Sequence, residues 1–173
     1  MNPKYAMPIL RQLPRDSDRP LWRRLLWWTE PVIYELVEDY IHGTTLWTGE
    51  RVILFLPAGF RADLASTPRV SWLFGYRPDG LLLVPGLFHD WFYRHGFVID
   101  AGVPGRRHIG HGDKAFGDRL LAHLAHEISG LRLPGLVARV ALTLFGWPAW
   151  RHNKKYRDAC KQMWKYQLKG DYK

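Results

Sequence analysis

One cysteine, Cys160, stands among 173 residues, so no disulfide within the chain can staple the fold and nothing in its thiol content points to an oxidising compartment. Acidic residues are also few: 16 Asp and Glu face 25 Lys and Arg, a formal charge of +9. Such a surplus says nothing about fold, but it draws a protein toward anionic surfaces such as phospholipid, nucleic acid or an acidic protein. No sequence-specific nucleic-acid motif accompanies the charge. Long apolar runs are missing too. A bilayer span takes about 20 residues, and the longest candidate near the C-terminus, Leu133 to Trp150, is broken by Pro134, Arg139 and Pro148. Met1 to Asp18 is interrupted by Pro3, Pro8 and Pro14 rather than forming a signal-peptide core, so the expectation is a soluble protein made in the cytoplasm. Apolar bulk is plentiful. The chain is 47% hydrophobic, with 9 tryptophans and 8 tyrosines, enough for one core with aromatic side chains left for a surface.

Residues 1–20 hold four prolines and scattered charge, the composition of an irregular arm. Leu21 to Trp28 sets Trp22, Trp27 and Trp28 around Arg23 and Arg24, a short amphipathic helix that either anchors on the body or meets a membrane or partner. Val32 to His42 and Glu50 to Leu56 are rich in β-branched and aromatic residues and predict two antiparallel strands. Pro57 to Arg69 has the texture of a structured loop, in which Asp63 and Ser66 either organise local backbone or serve a site. A short helix over Val70 to Tyr76 precedes a helix over residues 84–95, which Gly96 ends. Residues 97–110 read as a connecting loop.

A second helix spans His111 to Ser129. Phe116, Leu120, Leu124 and Ile128 form its apolar stripe, and Asp113 continues that stripe inward. His123 and His126 read as a polar flank rather than a metal pair. Leu136 to Phe145 is a third helix. A last helix after Pro148 carries Lys154, Lys155, Lys161 and Lys165, either a solvated face or a contact for an acidic partner or anionic surface. The expected class is α+β, a small antiparallel β element followed by a mainly helical body. It divides into an N-terminal arm over residues 1–31, a core domain over 32–150 and a basic helix over 151–173.

Chemistry concentrates in L-F-H-D-W-F-Y-R-H-G, Leu87 to Gly96. On a helix His89 and Tyr93 share a face at i, i+4, while Asp90 lies about 100° around from His89. Polar groups in such apolar surroundings need partners, and the inward Asp113 is the expected partner of His89.

Three stretches together, P-A-G-F-x-x-D-x-A-S-x-P-R at Pro57 to Arg69, H-D-x-x-Y at His89 to Tyr93 and D-x-x-F at Asp113 to Phe116, resemble a family of uncharacterised proteins of tailed bacteriophages and prophages. That resemblance spans about residues 32 to 147 and departs from the family at Ala62, where threonine is usual. It implies a protein of the host cytoplasm or virion with other phage proteins as partners. The helix pair also resembles the catalytic helices of phospholipase A2 enzymes. This implies His89 as general base, Asp113 as the carboxylate that orients it, Tyr93 as a supporting donor and Asp90 as ligand to a calcium ion. The cysteines that pin those helices and the glycine-rich calcium loop are absent here.

Three readings stay open: a buried network that only fixes helices; a His-Asp hydrolase acting on esters or phospholipids at an anionic surface, with a divalent metal if phospholipase-like; and a transition-metal site using His89, Asp90, Asp113 and, as a further candidate, His111. The non-catalytic reading makes the protein a virion or host-interaction component.

Overall fold

The computed structural model describes residues 7–13, 33–62 and 80–170, with side chains to residue 162. Asp63, Ser66, the short helix expected over residues 70–76, the amphipathic stretch with Trp22, Trp27 and Trp28, and the side chain of Lys165 lie outside them. The class is α+β. Strands β1 (Leu10–Gln12), β2 (Tyr34–Leu36) and β5 (Arg61–Ala62) form one antiparallel sheet in the order β1-β2-β5. Strands β3 (Tyr40–Thr45), β4 (Arg51–Leu56), β6 (Val98–Asp100) and β7 (Arg107–Ile109) form a second, also antiparallel. Helices α1 (Leu83–His95), α2 (Lys114–Ser129), α3 (Arg132–Phe145), α4 (Trp147–His152) and α5 (Lys154–Gly170) build the body.

The imperfect alternation of Val32 to His42 has a structural cause: the segment holds two strands, not one, and they belong to different sheets. Within β3 the period is regular. Tyr40, His42 and Thr44 point inward and Ile41, Gly43 and Thr45 outward. The N-terminal arm, expected to be irregular, contributes β1, which pairs with β2 from Leu10 opposite Leu36.

The expected loop over residues 97–110 also needs correction, because it carries β6 and β7. Each is only three residues long, too short for a period to show. The pair is secured by Asp100, whose fully buried carboxylate accepts from the backbone N–H groups of Ile53 and Gly102 and from Arg107. Burial works against ionisation of Asp100, but these donors outweigh it and hold its pKa below the ordinary value. The loop expected from Pro57 likewise contains β5, whose Ala62 lies opposite Tyr34.

Helix α1 is the hub. Its buried residues include Leu83, Val84, Leu87, Phe88, Trp91 and Phe92, an apolar surface too broad for one neighbour. Phe88 meets Tyr40 and His42 of β3, and Phe92 meets Phe116 and Trp150. Gly96 ends the helix in the left-handed region with φ 81°. Gly117 allows α2 to lie close, since a Cβ there would sit 2.5 Å from Phe92 Cδ1. On α5, Arg157 is buried. It donates to the carbonyl of Tyr93 at 2.8 Å and stacks 3.5 Å from the Trp150 ring centroid.

Candidate functional site

Positions 89 and 93 of α1 point at α2, as the i, i+4 spacing requires. The carboxylate they meet is Asp118. His89 Nε2 lies 3.4 Å from Asp118 Oδ1, and the Tyr93 hydroxyl donates to the same oxygen at 2.8 Å. Lys114, one helical turn before Asp118, donates to Oδ2 at 2.6 Å and to the carbonyl of Leu142 at 2.9 Å. His89, Tyr93, Lys114 and Asp118 are 7%, 5%, 7% and 3% exposed. They form a closed polar node among three helices.

Asp113, the expected partner of His89, is not there. It is the N-cap of α2, with φ −86° and ψ 105°, and its side chain accepts from the N–H of Ala115 at 2.9 Å. An N-cap residue is outside the helical geometry, so extending the stripe back from Phe116 to position 113 carries the helical phase one residue too far. The expected start at His111 fails for the same reason. His111 is exposed, with φ 20°, in the turn before the cap. Asp118 belongs to a second buried row, Lys114, Gly117, Asp118, Leu121 and Ala125, beside the expected one through Leu120 and Leu124. A lysine and an aspartate at i, i+4 ordinarily mark a solvated face, which hides this pair. The glycine between them is the one local sign of a close helix crossing.

Electrostatics follow from the contacts. Burial disfavours charge on His89, but Asp118 and Asp90 outweigh it, so the pKa is raised above the ordinary 6.5. Burial also opposes ionisation of Asp118, yet the donors His89, Lys114 and Tyr93 prevail and lower its pKa. The Tyr93 hydroxyl is pushed up by burial and by the Asp118 charge. The contacts thus favour the ionised form of Asp118 and shift His89 toward its protonated form relative to an isolated imidazole.

Asp90 is half-buried, with Oδ1 4.0 Å from His89 Nδ1. Among the described residues no three His, Cys, Asp or Glu side chains are grouped so as to hold a metal ion. The proposed set of His89, Asp90, Asp113 and His111 is therefore not assembled, because Asp113 and His111 sit in the exposed turn before α2. Of the cationic residues expected on the last helix, Lys154, Lys155 and Lys161 are exposed on α5.

A second polar cluster, absent from the sequence reading, joins β3 to α2. The Thr44 hydroxyl donates to Glu127 Oε2 at 2.6 Å and lies 3.4 Å from His123 Nε2. His42 Nε2 stands 3.9 Å from the same Glu127 oxygen. Burial lowers the His42 pKa despite the neighbouring Glu127. His123 is thus turned to the sheet, while His126 is exposed.

The model of a protein family described as a protein of unknown function, DUF1353, matches residues 35–129, from β2 to the end of α2, and so includes both polar clusters. No curated protein and no solved structure matches the chain.

Proposed function

Because the chain belongs to the DUF1353 family of proteins of unknown function, we propose its role from its own geometry: a non-catalytic binding protein for anionic surfaces, in which the His89–Asp118 network locks the helices. The observation that carries this reading is the closure of the node. The Tyr93 hydroxyl, the Lys114 ammonium and His89 Nε2 are all directed at Asp118, beneath side chains that leave His89 only 7% exposed. A general base needs a lone pair within reach of water and room for a substrate beside it. The binding half rests on the charge of +9 and on the exposed Lys154, Lys155 and Lys161. A phage or prophage setting, as virion component or host-interaction factor, belongs to this proposal.

One specific observation favours a second reading, the ester hydrolase. His89 Nε2 and the Tyr93 hydroxyl converge on Asp118, while Nδ1, 4.0 Å from Asp90 Oδ1, is beyond hydrogen-bond length from that carboxylate. In this scheme Nδ1 takes a proton from water, the water oxygen attacks the ester carbonyl, and the proton passes to the departing alcohol. Asp118 takes the orienting role that the phospholipase A2 resemblance gave to Asp113. A calcium ion does not fit the described residues, because one carboxylate at Asp90 falls well short of the six to eight oxygens the ion takes.

The deciding experiment incubates the protein with phosphatidylglycerol-containing vesicles, with and without calcium, and follows fatty-acid release and binding together. Expected are binding at low salt that fades as salt screens it, and no release. Release that His89→Ala abolishes would transfer the assignment to the hydrolase. Failure to retain the protein on any anionic surface at low salt would remove the binding function.

A further inference from the structure

Helix α3 crosses α2 at a close approach. A Cβ on Gly135 would lie 2.4 Å from the Ala122 carbonyl oxygen, and Pro134 and Gly135 are the buried residues of α3. At about 100° per residue, Leu133, Leu136, Val137, Val140 and Leu144 fall on the opposite face. All are exposed, from 45% at Val137 to 66% at Leu133, and Trp147 follows at 48%. Single exposed leucines need no explanation, but a contiguous stripe of this size on one helix does.

Its surroundings specify the occupant. Between Glu127 and Asp158 the sequence has no acidic residue, while Arg132, Arg139, Arg151, Lys154 and Lys155 all fall in that interval. Arg139 shares one shallow surface hollow with Leu136, Val140, Thr143 and Leu144, and Arg151 stands 5.9 Å from the Trp147 ring centroid. An apolar stripe edged by cations, with a tryptophan at one end and no acidic residue in its own stretch of chain, has the form of a helix lying in a membrane interface. At 14 residues α3 is too short to cross a bilayer, and no described helix is long and apolar enough to do so.

We infer that the outer face of α3 seats the protein on an anionic phospholipid bilayer. Leu133, Leu136, Val137, Val140 and Leu144 enter the acyl boundary, Trp147 lies at headgroup level, and the flanking Arg139 and Arg151 side chains meet lipid phosphates. This deepens the anionic-surface reading above by naming the surface and the contact face. It does not depend on whether the protein has catalytic activity.

The test is co-sedimentation of the full chain with vesicles of phosphatidylcholine alone, or mixed three to one with phosphatidylglycerol, at low salt. The wild type should partition onto the mixed vesicles and far less onto the neutral ones. Leu136→Asp with Leu144→Asp should weaken partitioning by about a hundredfold, roughly tenfold for each leucine withdrawn from the lipid. Arg139→Gln with Arg151→Gln should reduce binding to the mixed vesicles alone. These leucines are exposed, so circular dichroism of the aspartate variant should match the wild type. Unchanged vesicle binding by that folded variant overturns the inference. So does a wild-type dimer in sedimentation velocity that Leu144→Asp dissociates while vesicle binding is absent, because the face would then cover a second copy. Wild-type retention on carboxylated beads without vesicle binding would defeat this inference and leave the anionic-surface reading in place.

Discussion

Substitution of Asp118 by Asn changes one oxygen to an amide and should be among the most damaging single replacements in the protein. In the wild type its carboxylate receives His89, Tyr93 and Lys114, and its side chain is 4% exposed. The amide keeps one acceptor but removes the charge, leaving the 7% exposed Lys114 ammonium with the Leu142 carbonyl as its remaining described acceptor. Removing one partner of a buried ion pair costs about 3–5 kcal/mol, because the other charge stays desolvated. A large fraction of a typical domain's stability would be lost. Urea unfolding followed by circular dichroism should show a lower midpoint with little change in slope. Lys114→Met combined with Asp118→Asn removes both charges of the pair while leaving the amide oxygen to accept from Tyr93, and should cost less than the sum of the two single replacements, a coupling of about 1–3 kcal/mol in a double-mutant cycle. An Asp118→Asn variant within about 0.5 kcal/mol of the wild type, the range of ordinary surface changes, would refute the closed node.

Asp113→Ala removes only a helix cap and should cost about 1 kcal/mol, with Asp113→Asn nearly neutral in the same urea assay; a loss comparable to that of Asp118→Asn would restore Asp113 to the centre. The raised His89 pKa makes its stabilising contribution complete below pH 6.5, and that contribution declines as pH rises through the higher folded value. The stability gap between wild type and His89→Gln should therefore narrow above neutrality, and an NMR titration midpoint at or below 6.5 would contradict it. For His42 the lowered pKa reverses the sign: its contribution is present above 6.5 and is lost as pH falls, which an NMR midpoint below 6.5 should show. Gly117→Ala places a methyl 2.5 Å from Phe92 Cδ1 and should destabilise by roughly 1–3 kcal/mol; a thermal scan showing no change would mean that α1 and α2 are further apart.

The sequence by itself determined the elements whose signals are local. A helix over residues 84–95 ended by Gly96, a strand expected over Glu50 to Leu56 and observed over Arg51–Leu56, and the stripe through Leu120 and Leu124 follow from the 3.6 and 2.0 periods and from capping chemistry. It also brought His89 and Tyr93 to one face, because i, i+4 neighbours meet in any helix. The tertiary structure decided what they face. Whether Asp113 or Asp118 reaches His89 depends on where α2 begins its helical phase and on how closely Gly117 lets it approach Phe92, and neither is a property of a short window. The strands of residues 97–110 were invisible for a related reason: three-residue segments have no period, and they become strands because β4 supplies an edge and Asp100 secures the turn. The polar identity of Lys114 and Asp118 argued for solvent, and only the crossing of α1, α2 and α3 shows that they are buried, since two opposite charges can satisfy in one another what neither could leave unpaired in a core.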